Sequence, residues 1–396
     1  MSKLILNEFE FECNLMDEYL EESLKKIKEK YKEDYNKDNI FNDICEKYGI
    51  NDKVKQIAKM RQFKQRSDEW FAQRKKMISA SDMASVFSIG YSSKKTLMEK
   101  KVLDNNTFKG NIYTKWGQKY EDIASIIYEK RKNVKVLEFG LIQHSKYDFI
   151  GASPDGITTD GVMLEIKCPS KRIITGITPE HYGIQMQIQL EVCELDECDF
   201  CEVKFNEYSD EEEYLSSDNG DLEKGILVSL RNIGDENPLY IYPKSSMLGN
   251  DEVLFKWRDE VIDKYKDKYK YIKCCYWYVE VYCCVTVKRN KKWFDDNLNE
   301  IQKFWEEILY YRKNLEEYYK KYPKKKKKNV VNLTSTIKKS SFHDEIYDNV
   351  ENKNISTPKI IKKQKVSSFH SELYENNNKN ALTTELAEDI KKILEM

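Results

Sequence analysis

In WGQKYEDIASIIYEKRK (116–132), Tyr120, Ala124, Ile127 and Tyr128 recur at three-to-four spacing, the buried stripe of an amphipathic helix. Upstream, SDEWFAQRKKM reads as a helix start, with Ser67 as cap and Asp68 and Glu69 at its positive end. SASDMASVFSI begins a second helix. The pattern then shortens to strands in VKVLEFGLIQHS, DFIGASPDG and VMLEIKCPS, lengthens to a helix in PEHYGIQMQIQLEVCEL, and alternates again in CDFCEVKFNEY. Helix, antiparallel strands, helix, strand predict an α/β core with helices packed on a sheet. Further on, GILVSL and PLYIYP read as short strands. A charged helix, the long strand CCYWYVEVYCCVTVKR and a last helix ending at YYKKY follow.

Three parts are expected. Residues 1–65 form a charged helical extension, as in MDEYLEESLKKIKEKYKEDY. Residues 66–322 form one domain, with its most informative block at 66–206 and an acidic, loop-like insertion at 207–224. Residues 323–396 begin with a lysine run (Lys324 to Lys328) and are poor in aromatics, a composition expected to leave the tail mostly disordered. Within that tail SSFHDEIYDN (340–349) returns as SSFHSELYEN (367–376). The repeat reads as a docking motif used twice, gaining from effective concentration, or as a duplication without a partner. The lysine run reads as a nuclear-localisation signal, a phosphate contact or a solvated linker.

Composition narrows the classes. Charged residues make up 34% of the 396 and hydrophobic ones 40%, a polar chain that can still bury a core. Net charge is −1, so a nucleic-acid surface would have to be a local patch. No apolar run approaches the roughly 18–20 residues that span a bilayer. The start, MSKLILNEFEFEC, has acidic residues where a secretion signal needs an apolar run. A soluble protein inside the cell is expected. Ten irregularly spaced cysteines suit a reducing compartment.

The chemistry concentrates in GASPDGITTDGVMLEIKCPS (151–170). Glu165 and Lys167 are two apart on a strand, so they leave the same face. A hairpin brings Asp155 alongside. Paired carboxylates repel unless a cation lies between them, and hard oxygen donors suit Mg²⁺, with Mn²⁺ as a substitute. An adjacent lysine can steady charge on a phosphate or orient water. The bland alternative is a strand face charged for solubility.

Five segments, in order, resemble the YqaJ-type viral recombinase family, a lambda-exonuclease-like branch of the PD-(D/E)xK nucleases. They are EWFAQRKKMISASD, WGQKYED, GASPDG, LEIKCP and HYGIQMQIQL. The resemblance implies a restriction-endonuclease-like core, a central mixed sheet flanked by helices. It implies an Mg²⁺-dependent exonuclease acting 5′-to-3′ on double-stranded DNA ends. Asp155, Glu165 and the Ile166 backbone carbonyl would hold the ion, with Glu121 completing the site. Lys167 would orient the water. Gln187, or less favourably Gln185, would position Lys167 or the scissile strand. Arg74, Ser79, Ser81 and Ser153 would grip a terminal phosphate. Lys75 and Lys76 replace the glycine that usually follows the arginine, which leaves end specificity less firmly implied than catalysis. The resemblance also implies a trimeric ring and a single-strand annealing partner. An endonuclease of the same superfamily, CRISPR-associated types included, and a non-catalytic DNA-end-binding scaffold are the alternatives. Cys193, Cys198 and Cys201 match a plant-type iron–sulfur spacing, yet they span a helix end and a strand, and buried thiols are the preferred reading over an iron–sulfur cluster.

Overall fold

The computed structural model of the chain describes residues 45–323, apart from 47–48, 105–109, 219, 221 and 233–237. The lysine run, both tail repeats and most of the N-terminal extension lie outside the described residues.

The chain enters through α1 (Asp52–Lys59), capped by Asn51, and β1 (Gln62–Phe63). Then come α2 (Asp68–Arg74), β2 (Ile78–Ser79), α3 (Ala80–Met83) with a 3₁₀ turn over Ala84–Phe87, and α4 (Lys94–Val102). Ser67 accepts from the Trp70 amide at 3.1 Å, the expected cap. The long helix α5 (Ile112–Lys132) starts in a capping box of Asn111 and Thr114. Five strands follow: β3 (Val136–Leu137), β4 (Leu141–Gln143), β5 (Ile150–Ala152), β6 (Gly156–Thr158) and β7 (Met163–Lys167). Next are α6 (Glu180–Cys193), β8 (Glu197–Glu207), α7 (Glu211–Ser216), β9 (Lys224–Asn232) and β10 (Pro238–Ile241). A 3₁₀ turn at Ser245–Met247, α8 (Asp251–Tyr265), β11 (Tyr269–Lys288), α9 (Lys291–Lys313) and α10 (Leu315–Lys321) complete it.

The fold is mixed α/β, with a central mixed sheet flanked by helices. Its strands run β10-β9-β11-β8-β7-β6-β3, and only β7 and β8 pair in parallel. A smaller sheet runs β1-β4-β5-β2. Alternation along β7 divides its side chains between two layers. Leu164 and Ile166 join Tyr120, Ile123, Ala124, Ile127 and Tyr128 of α5, with Phe205 and Trp277, in one core. Met163 joins Ile184, Ile188 and Val192 of α6 and Ile301, Phe304 and Ile308 of α9 in the other.

Two expectations need correction. The stretch before residue 66 is not all charged helical extension: Cys45, Ile50, Val54 and Ile57 are buried in the same core as α6, and β1 pairs with β4. The acidic insertion is not all loop, because Asp210 caps α7 by accepting from the Glu213 amide at 2.9 Å and Tyr214 anchors the helix fully buried. Apolar spacing at a single tyrosine was too sparse to show that turn. Among the described residues no helix is long and apolar enough to cross a membrane.

Candidate active site

β6 pairs with β7 only as far as Leu164, so β7 runs on past the hairpin. The freed Ile166 N–H donates to Asp155 Oδ2 at 2.7 Å. That bond ties the Ser-Pro-Asp-Gly turn to the extended end of β7. Glu165 points into the α6 layer with no exposure. There Gln185 donates to its Oε1 and Gln189 to its Oε2, each at 2.7 Å. Lys167 leaves the same strand face, and its ammonium bonds Glu165 Oε1 and, at 3.0 Å, the Ile166 carbonyl. Tyr182, on the first turn of α6, lays its ring 5.1 Å from Lys167 Nζ.

On the α5 side, Glu121, Asp155 and Ile166 border one cleft of about 600 Å³ with Arg66, Asp122, Glu138 and Tyr242. Burial pushes the Asp155 carboxyl well above its ordinary range, Glu165 and Glu121 add to this, and Lys167 works against it. Glu121 is raised by burial and by Asp122, again against Lys167. Glu138 rises through burial and the same two α5 carboxylates. Burial alone would lower Lys167, but Glu165 and Asp155 outweigh it and hold the ammonium charged.

This donor set fits a hard divalent cation. Carboxylate and carbonyl oxygens gather with more negative charge than Lys167 balances, and desolvation of Asp155 and Glu121 is relieved by a bound cation. As the side chains stand, no three carboxylate, imidazole or thiol groups among the described residues converge closely enough to hold an ion. The Lys167 ammonium bonds both Glu165 and the Ile166 carbonyl, two of the groups expected to ligate.

Gln187 is not at this site. Its amide donates to the Lys288 carbonyl at 2.9 Å and accepts from the Asn290 N–H at 2.6 Å, which fastens α6 to the start of α9. Gln185 and Gln189 reach Glu165 instead. Residues two apart on a helix diverge by about 200°, whereas four apart share a face, so Gln185 and Gln189 go together and Gln187 does not.

Arg74, Ser79, Ser81 and Ser153 form a second cluster. Arg74 lies 4.4 Å over the Trp70 ring and donates to Ser81 Oγ at 3.1 Å. Trp70 Nε1 donates to Ser153 Oγ at 3.1 Å, two residues from Asp155. Ser79 donates to Asp82 Oδ2 at 3.0 Å. Sequence reasoning missed Asp82, Lys100, Lys101 and Arg312. Asp82 takes Lys100 at 2.9 Å and Lys101 at 3.2 Å and lies 3.9 Å from Arg74. Burial opposes its charge, but those three cations keep Asp82 well below the usual carboxylate range. Burial lowers Lys101 to about 8, against the pull of Asp82. Asp82 stands inside a quoted motif, which was a usable signal. Arg312 is far along the chain and had none.

The cysteines separate. Cys193 and Cys198 lie in the α6 layer and Cys201 in the α5 layer, so the sheet itself comes between them. Burial pushes the Cys193 thiol up to about 12.

The family model for a YqaJ-like viral recombinase domain matches residues 69–196, which take in Arg74, Glu121, Asp155, Glu165, Lys167 and the α6 glutamines. Residues 69–196 are thus similar to the YqaJ-like viral recombinase family. An uncharacterized protein, R354, of Acanthamoeba polyphaga mimivirus is 33% identical over 307 residues, 67% of this chain. The match takes in 56% of that relative, so this chain spans little more than half its length. Two solved structures are similar in outline. An alkaline exonuclease from Laribacter hongkongensis is 22% identical with a TM-score of 0.40, over 65% of this chain and 100% of that one. A phage-related exonuclease from Haemophilus somnus is 13% identical with a TM-score of 0.31, over 61% and 96%. The family match ends at Asp196, before β8, yet Lys288 of β11 and the α9 cap Asn290 hold Gln187, and Arg312 of α9 holds the turn after Arg74.

Proposed function

We propose that the chain is an Mg²⁺-dependent deoxyribonuclease: an exonuclease that hydrolyses linear double-stranded DNA from 5′ to 3′ in viral recombination, repair or end processing. One observation carries this. Lys167, Glu165, the Ile166 carbonyl and Asp155 are drawn together at the end of β7, with Glu121 on the same cleft, inside the family-matched segment. Asp155, Glu165 and the Ile166 carbonyl would hold Mg²⁺ or Mn²⁺, with Glu121 at the margin. When bound, such an ion supplies Lewis-acid polarisation of the scissile phosphate.

The chain's own groups do the rest. Gln185 and Gln189 fix Glu165 so that its charge stays aimed at the β7 end. Lys167, held charged, orients water and steadies negative charge on the phosphate. Arg74, with Ser81 and Ser153 beside it, offers donors to a terminal phosphate. Arg74, Lys100 and Lys101 against Asp82 leave a surplus of positive charge for that dianion. An endonuclease has little use for such a cluster.

The test is linear duplex DNA with a 5′ phosphate or a 5′ hydroxyl, in Mg²⁺ or EDTA, beside Asp155→Ala. Shortening of the phosphate-ended strand in Mg²⁺ only, absent in the variant, is expected. No cleavage of linear, nicked or circular DNA in Mg²⁺ or Mn²⁺ would leave the DNA-end-binding scaffold in its place.

A further inference from the structure

Between β7 and α6 the chain runs Lys-Arg-Ile-Ile-Thr-Gly-Ile (171–177), with Ile173 77% and Ile177 74% exposed. Beside it three rings stand in a row. Tyr91, 82% exposed, meets His181 edge-on at 4.9 Å, and His181 meets Tyr182 at 4.1 Å. Tyr182 then faces Lys167 at 5.1 Å and Arg172 at 5.9 Å. The row is built rather than accidental. Gly90, at φ +88°, packs so closely that a Cβ there would lie 3.0 Å from His181 Cβ, which seats Tyr91 against the imidazole. His181 Nε2 is shielded from solvent and has no hydrogen-bond partner among the described residues. Lys171 lies 5.7 Å over Tyr113, itself half exposed. Glu202 pairs with Arg172 and Glu165 with Lys167, so Lys171 adds the further positive charge of this rim.

We propose that this rim, Tyr91–His181–Tyr182 with Lys167 and Lys171, is a binding track for an unpaired strand of nucleic acid. The inference rests on the nuclease reading and adds which form of the polymer this side of the site receives. Aromatic faces interleaved with cations match a chain whose bases alternate with phosphates. A duplex keeps its base faces stacked on one another and has none to offer, so the exposed Tyr91 ring, with the half-buried His181 and Tyr182 behind it, discriminates for the unpaired strand. The track ends at Lys167, so it delivers the strand to the β7 end, where Ile166 and Asp155 border the acidic cleft.

The test measures binding without cleavage. Fluorescence anisotropy of labelled dT12 and of a blunt hairpin duplex is recorded in EDTA for the full chain. Tyr91→Ala should weaken dT12 binding by about five-fold or more, the loss of one stacked base, and change duplex binding less. Tyr91→Trp should restore it. Tyr310→Ala, at an exposed tyrosine on α9, should change neither. Tyr91 is too exposed for its loss to unfold the chain. Unchanged dT12 affinity in Tyr91→Ala, or equal losses for dT12 and duplex, would overturn the track. If the wild type cuts nothing while Tyr91→Ala still loses dT12, the track stands and the nuclease reading falls.

Discussion

Asp155 is expensive where it stands. Its carboxyl is raised by burial first and by Glu165 next, so the folded chain binds its proton more tightly than the unfolded chain does. The sign follows: there is no penalty below the ordinary carboxylate range, and one accumulates as pH rises toward the folded value. Asp155→Asn removes that charge and keeps an acceptor for the Ile166 N–H. In EDTA near neutral pH the variant should melt a few degrees above wild type, with the gap closing toward pH 4, while cleavage falls by at least about a hundredfold. Thermal melts across pH, with a cleavage assay alongside, check both. The glutamines give a second prediction. Gln189→Leu leaves one oxygen of a buried carboxylate without its donor, at about 1–3 kcal/mol, so both melting temperature and single-turnover rate should fall. Gln187→Leu should cost about 1 kcal/mol of stability with the rate unchanged. A rate loss in Gln187→Leu alone would reverse this assignment.

Elements position the second cluster from a distance. Arg312, near the end of α9, donates to the Lys101 carbonyl at 3.0 and 2.9 Å and to the Lys75 carbonyl at 2.6 Å. It thereby staples the turn after Arg74 to the end of α4. Arg312→Met keeps much of the packing on Trp305, whose ring lies 5.2 Å away, and removes every donor. The preference for a 5′ phosphate over a 5′ hydroxyl should shrink by about tenfold, with the rate on hydroxyl-ended DNA little changed; initial rates on the two substrates measure it. The same staple shows where legibility in the sequence stops. The α5 stripe, the β6–β7 hairpin and the Ser67 cap were readable because each is a local pattern of spacing or capping. Glu121, Asp155 and Glu165 were expected together from motif order, and Glu121 and Asp155 line one cleft. Arg312 was not readable, nor was Asp82 as a counter-charge, because only tertiary packing brings Lys100 and Arg312 to the Arg74 turn. The placement of Gln187 away from Glu165 is of another kind. Three glutamines at alternate positions look equivalent in a string, and only the 100° step per residue separates them.

For the described core as a whole, the charges at the β7 end are stored instability that a ligand can release. Net charge over the chain is −1, so no global field attracts or repels a cation, and any stabilisation must come from the site. A ligand that binds only the folded state adds RT ln(1 + [L]/Kd), about 2.7 kcal/mol at a hundred times Kd. For a domain of this size that is a rise of roughly 5–10 °C in melting temperature. Millimolar Mg²⁺ or Mn²⁺ should therefore raise the melting point of the wild type, and NaCl at equal ionic strength should not. Asp155→Asn begins from a higher baseline and should gain little, because the charge the ion would neutralise is gone. Lys167→Met makes the two readings of that lysine separable. If its ammonium stands in for a cation between Glu165 and the Ile166 carbonyl, the variant loses stability in EDTA and recovers more than wild type on adding Mn²⁺. If Lys167 serves the reaction alone, the variant and the wild type shift by equal amounts, and only cleavage distinguishes them.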